Sequence, residues 1–169
     1  MNEQAGKSHG VAPDTFYVAL GSNLPSRAGP PVATLEAALA ALAGEGFQVT
    51  ACSRWYRTAP VPASDQPDYV NGVVRGRWML GPREALHRLH DIERAFGRVR
   101  GERNAARTLD LDLIAYGDRV SDGGDGGPIL PHPRLSTRAF VLLPLAEIAP
   151  GWRHPVSGRT VEALLAALK

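Results

Sequence analysis

Cysteine is almost absent: Cys52 is the only one in 169 residues. No disulfide can form within the chain, and the composition fits a reducing, cytoplasmic setting. Lysine is nearly missing too, with only Lys7 and Lys169, so the remaining basic residues are all Arg. That excludes a P-loop, whose Lys follows a glycine-rich turn placed after a strand. Gly6-Lys7-Ser8 copies the end of that motif, but its first Gly would fall at Met1, with no strand before it. No apolar run reaches the roughly 18 residues of a membrane span. The best run, over 139–149, is interrupted by Pro144 and Glu147. The opening MNEQAGKSHGVAP has no apolar core of a secretory signal. Residues 1–14 are therefore expected to form a disordered tail ahead of a single domain over 15–169. The formal net charge is +2, too small by itself to point to nucleic acid.

What is present organises itself into alternating elements. Residues 16–22 form an apolar run ending in Gly-Ser-Asn, a strand entering a turn. Pro30-Pro31 precede a helix with Val32, Leu35, Leu39 and Leu42 at helical spacing, ended by Gly44 and Gly46. A second strand is expected over 47–58, a proline-rich loop over 59–68, and a third strand over 69–79. Pro82 opens a second helix with Leu86, Leu89, Ile92 and Phe96 on its apolar stripe, and Gly97 ends it. A fourth strand covers 108–115. SDGGDGGP over 121–128 reads as a flexible loop. A short helix over 137–143 is expected to stop near Pro144. Thr160 caps a last helix bearing Val161, Leu164, Leu165 and Leu168. The order strand, helix, strand, strand, helix, strand fits an α+β, ferredoxin-like (βαββαβ) layer of mostly antiparallel sheet covered by helices. A doubly wound parallel sheet would need strict strand–helix alternation.

The fourth strand carries the strongest chemical signal, TLDLDLIA. Side chains alternate along a strand, so Leu109, Leu111 and Leu113 share one face and Asp110 and Asp112 share the other. Two carboxylates about 4 Å apart at an effective dielectric of about 20 repel by about 4 kcal/mol. Solvent, a shared proton or a bound cation can offset that. Ligands limited to oxygen point to a hard ion such as Mg²⁺, which combines one or two carboxylates with substrate phosphates. Arg94, Arg98, Arg100, Arg103 and Arg107 stand just upstream. An Arg run is ordinarily a solvated face; next to paired carboxylates it is also what phosphate oxygens need. The combination points to a nucleotide–Mg²⁺ site.

His132 sits in Pro-His-Pro-Arg, held extended by its prolines. With Arg138 downstream it is a candidate phosphate donor, although a lone loop His is more often plain surface. His87 and His90 are one helical turn apart but lack a third ligand, so they read as ordinary helix residues. Tyr69 and Asn71 share a strand face. A ring beside a side-chain amide can recognise a flat, hydrogen-bonding heterocycle.

Taken together, YVALGSNL, WYRTAPVPASDQPDYVNGVV, IERAFGRVRGERNAARTLDLDLI and LPHPRLSTRAFVLLPLAEIAP occur in one order from Tyr17 to about Trp152. In this the chain resembles the 6-hydroxymethyl-7,8-dihydropterin pyrophosphokinases of folate synthesis. The resemblance implies a ferredoxin-like fold and transfer of the β,γ-pyrophosphoryl group of ATP to the pterin hydroxymethyl group, releasing AMP. It implies two Mg²⁺ ions on Asp110 and Asp112, and catalytic roles on the phosphates for Arg98 and Arg107. Glu93, Arg100, Arg103, His132 and Arg138 would serve ATP. Thr58, Tyr69, Asn71 and Phe140 would form the pterin pocket, with Tyr69 and Phe140 sandwiching the ring. Glu93 projects to the rim of its helix's apolar stripe, facing inward. The chain departs from some members at Asn104 (Trp), Pro133 (Tyr) and Ala59 (Pro), and its segment from Arg98 to Arg107 is one residue shorter than the longer loops.

Two other readings compete. An RNA-binding ferredoxin-like module would display stacking aromatics in an RNP pattern, which is missing. A nucleotidyl transferase on the Asp pair would release pyrophosphate instead of AMP. The expected partners are ATP and a dihydropterin, with no nucleic acid and no membrane, acting on a monomer.

Overall fold

The computed structural model describes residues 15–99, 101 and 105–168; the expected tail over 1–14 lies outside them. β1 (Thr15–Ser22) is buried along its whole length, as a central strand must be. It is followed by α1 (Pro31–Gly44), β2 (Gln48–Cys52), β3 (Tyr56–Thr58), β4 (Tyr69–Arg77), α2 (Pro82–Ala95) and β5 (Asp110–Tyr116). β4 pairs antiparallel with β1 on one side and with β2 and β3 on the other, and β5 pairs antiparallel with β1. The order β2–β4–β1–β5 leaves a third strand inside each helix-linked pair. This is the split βαβ topology expected from the element order.

Strand alternation divides the molecule into two cores. Phe16, Val18 and Leu20 of β1, with Leu111 and Leu113 of β5, pack on α1 and α2 through Leu35, Leu42 and Leu89. Tyr17, Ala19, Val73 and Ile114 face the other way, beneath α3 (Ala139–Ile148) and α4 (Val161–Ala166). Gly21 at the end of β1 and Asp110 and Asp112 at the start of β5 line cavities.

Several elements differ from the sequence reading, each for a local reason. The expected second strand breaks into β2 and β3. At the break Ser53 donates from its hydroxyl to Arg54 O and accepts from Val73 N. A serine side chain thus takes over a ladder position. Trp55 then fills the space over Gly72, where a Cβ would lie 2.5 Å from its ring. The third strand ends at Arg77, and Trp78 turns inward to donate to Glu45 O at 2.9 Å. β5 begins at Asp110, because the Thr108 carbonyl accepts from the Ser22 hydroxyl at 2.6 Å instead of joining the ladder. Residues 121–128 are framed by a small hairpin, β6 (Ser121–Asp122) on β7 (Ile129–Leu130). Thr137 closes a 3-10 turn, Leu135–Thr137, and α3 runs on to Ile148 with Pro144 inside it. An interior Pro costs about 3 kcal/mol, yet the burial of Val141, Leu142 and Leu145 outweighs it, at about 1.5–3 kcal/mol per large aliphatic side chain. In α1, Val32 is exposed while Leu35, Ala38 and Leu42 carry the buried stripe. α4 is capped as expected: Thr160 Oγ1 accepts from Ala163 N at 3.1 Å.

Candidate functional site

Leu109, Leu111 and Leu113 are buried on the face covered by α1 and α2. Asp110 and Asp112 point to the opposite face, their side chains 23% and 30% exposed. Cations offset the repulsion of this pair. Arg98 Nη1 donates to Asp110 Oδ1 at 2.7 Å, and Arg107 Nη1 to Asp110 Oδ2 at 3.2 Å. Arg138 Nη1 stands 3.7 Å from Asp112 Oδ2. Burial, then the Asp110 charge, still pushes the Asp112 pKa up to about 6, against the pull of Arg138, Arg98 and Arg107.

Arg98 is held from behind. Its Nη1 also donates to Glu93 Oε2 at 2.7 Å, while Glu93 Oε1 accepts from Leu111 N at 2.9 Å. Glu93 thereby ties the end of α2 to the backbone between the two aspartates. Burial raises its pKa to about 7, although both partners favour the anion. It lines a cavity with Asp110 and Asp112, but the Leu111 amide and Arg98 occupy its oxygens.

Asn23, in sequence no more than a turn residue, connects two loops. Its Oδ1 accepts from Arg107 N at 2.9 Å and its own N–H donates to Arg107 O. Its Nδ2 donates to Gln66 Oε1 and Pro67 O. The root of the Arg-bearing loop and the root of the proline-rich loop therefore rest on one side chain. The signal was the Asn of GSNL, a buried amide just past the end of a central strand.

Two cavities meet at the acid pair. The first, about 570 Å³ with its open mouth, is lined by Thr58, Tyr69, Asn71 and Phe140, together with Arg107, Arg138 and the loop over 59–62. Asn71 Nδ2 donates to Thr58 Oγ1 at 2.6 Å, so the Thr58 hydroxyl keeps its own proton to donate. Arg138 Cζ lies 5.4 Å from the centre of the Phe140 ring. The second cavity, about 840 Å³ on the same measure, has His132, Glu93 and Arg98 on its polar side. Leu86, Leu113 and Ile129 supply its apolar side. Leu86, expected in the core, is a wall of this cavity, and His90 lines it as well. Asp110 lines both cavities.

His132 is fixed by its backbone N–H, which donates to Ile114 O, and by Nδ1, which accepts from Arg134 N. That bond assigns the proton of the neutral ring to Nε2. Burial first, then Arg138 and Arg134, lowers its pKa to about 4. At neutral pH it is an uncharged N–H donor. Arg100 and Arg103, expected at the nucleotide, lie outside the described residues, as does Asn104.

Among the described residues no group of three or more His, Cys, Asp or Glu could hold a metal by itself. An ion taken up by the Asp pair would receive only carboxylate oxygens from these two residues, a donor set that suits a hard cation such as Mg²⁺.

Residues 17–150 match the family described as 7,8-dihydro-6-hydroxymethylpterin-pyrophosphokinase. The chain is 47% identical over 149 residues to a 2-amino-4-hydroxy-6-hydroxymethyldihydropteridine pyrophosphokinase of Synechocystis, covering 88% of this chain and 73% of that one. A Pseudomonas aeruginosa protein of the same name is 42% identical over 154 residues, covering 89% and 90%. In fold, the chain is similar to the wild-type HPPK-DHPS crystal structure from Plasmodium falciparum. The TM-score is 0.71 at 13% identity, over 95% of this chain and 45% of that one.

Proposed function

The chain belongs to the 7,8-dihydro-6-hydroxymethylpterin-pyrophosphokinase family, and from that membership we propose how its residues divide the work. The reaction transfers the pyrophosphoryl group of ATP to the hydroxyl of 6-hydroxymethyl-7,8-dihydropterin, in folate biosynthesis. The hydroxyl gives up its proton to water, its oxygen bonds to the β-phosphorus, the bond from that phosphorus to the α,β-bridging oxygen breaks, and AMP leaves with the bridging oxygen. The observation that carries our assignment is the position of Asp110 on the wall common to both cavities. A flat heterocycle in the first and a triphosphate in the second would meet there.

In the first cavity Tyr69 and Phe140 enclose the pterin ring, and Asn71 and Thr58 bond its edge. In the second, the apolar wall takes the base and His132 meets the phosphates, with Arg138 reaching them from the wall of the first, beside Asp112. Asp110 and Asp112 would hold Mg²⁺, which supplies charge neutralisation for the triphosphate and a lowered pKa for the attacking hydroxyl. Arg98 and Arg107 exchange the Asp110 carboxylate for phosphate oxygens and offset the charge that grows on the departing AMP. Glu93 positions Arg98. Arg100 and Arg103 are assigned to the phosphates on resemblance. We read residues 15–169 as one catalytic domain that acts as a cytoplasmic monomer, with neither nucleic acid nor membrane as partner.

The test is incubation with ATP, Mg²⁺ and the hydroxymethyl dihydropterin, comparing the wild type with D110A, D112A and the variant carrying both. AMP is expected from the wild type, with turnover reduced by orders of magnitude in each variant while the fold is kept. Near-normal turnover in the double variant removes the assignment. Free pyrophosphate instead of AMP identifies nucleotidyl transfer.

A further inference from the structure

The first cavity has a floor without a side chain, at Gly21. In the sheet register Gly21 faces Asn71 of β4 on one side and Asp110 of β5 on the other. One row across three strands therefore reads Asn71, Gly21, Asp110, all on the face that carries the site. Strands are about 4.8 Å apart, so amide and carboxylate spring from backbones about 10 Å apart, with bare chain between them.

Nothing in the backbone demands glycine here. Gly21 is not among the glycines with positive φ; it is a residue of an extended central strand, where Ala fits without strain. The demand comes from its neighbour. A Cβ at Gly21 would lie 2.9 Å from Asn71 Oδ1, inside the contact distance of carbon and oxygen. Asn71 has little freedom to yield, because it is 6% exposed and bonded to Thr58 at 2.6 Å. Gly72 and Gly76 differ in kind: their missing Cβ atoms make room for the Trp55 ring and for the Phe47 ring and Gln48 carbonyl, which are packing contacts away from the site.

We propose that Gly21 is a specificity-determining residue. The space it leaves holds the Asn71 amide in register with the pterin edge, and the edge of the ring held between Tyr69 and Phe140 passes over bare backbone between that amide and Asp110. This rests on the assignment of the first cavity to the pterin.

The test is Gly21→Ala, alone and combined with Asn71→Ala. Calorimetry gives the Kd for the hydroxymethyl dihydropterin in the presence of a non-hydrolysable ATP analogue, and the Kd for the analogue alone. G21A is expected to weaken pterin binding by about ten-fold or more. Analogue affinity is expected to stay unchanged, and G21A to cost nothing further once Asn71 is Ala. Loss of folding in G21A that N71A rescues also supports the proposal; loss that N71A does not rescue overturns it. Wild-type pterin affinity in G21A overturns it, as does an equal loss of analogue affinity. An additive loss in the double variant overturns it as well, because the floor would then act independently of the amide. Failure of the wild type to bind the pterin removes the cavity assignment and this proposal with it, an outcome distinct from a failure confined to G21A.

Discussion

Asp112 sits beside a second carboxylate, 3.7 Å from a guanidinium, with its pKa raised to about 6 by burial and by Asp110. A group under that strain weakens the empty protein and serves the loaded one. Asp112→Asn is expected to raise the unfolding temperature of the ligand-free protein by a few degrees, at about 2–4 °C per kcal/mol for a chain of this size. The same change should lower turnover by at least about 100-fold. A variant that melts higher and turns over normally would contradict the assignment. Glu93 gives a second expectation. Its pKa rises to about 7 from an ordinary 4.5, burial being the main cause. Between those values the folded protein holds a proton that the unfolded chain has released. The Glu93 contribution to stability therefore falls as pH rises through this window and is complete only below it. Denaturant titrations at pH 5 and pH 7 should show the decline, and Glu93→Gln should flatten it.

Elements meet at Asn23, where the end of β1 holds both the loop root at Arg107 and the loop root at Gln66 and Pro67. Asn23→Ala should lower kcat and raise KM for both substrates together, because both loops lose the same support. Its cost in folding stability is expected to be about 1–3 kcal/mol, the usual penalty for buried groups left unpaired. Initial-rate kinetics in each substrate check this; an effect confined to one substrate argues against it. The alternation of β5, the Pro at the head of α2 and the Thr cap of α4 were readable from local chemistry, because each depends on neighbours in the chain. The break between β2 and β3 was hidden, since Ser53 interrupts the strand only by capturing an amide of β4. The continuation of α3 through Pro144 was hidden for a similar reason: propensity argues for a stop, and burial beneath the sheet overrules it. Asp110, Asp112, Tyr69 and Asn71 stood out by type and spacing. The cavity walls at Leu86 and Gly21 did not, because an apolar or absent side chain carries no chemical mark.

Across the molecule as a whole, the guanidinium groups that neutralise the acid pair are those we assign to the triphosphate, so a divalent ion would take their place on the carboxylates. A ligand that binds only the folded state at about 100 times its Kd adds about 2.7 kcal/mol. ATP with Mg²⁺ is thus expected to raise the melting temperature by several degrees, and a chelator to remove most of that gain and abolish AMP formation. An equal thermal shift with and without the divalent ion would show that the acid pair takes no part in binding. The two-layer construction also matters to anyone wishing to harden this enzyme against heat. The α1 side of the sheet meets neither cavity through Leu35, Ala38 or Leu42, so tighter filling there should yield a sturdier catalyst that works at its original speed. Equivalent changes under α3 would disturb the helix that presents Arg138 and Phe140.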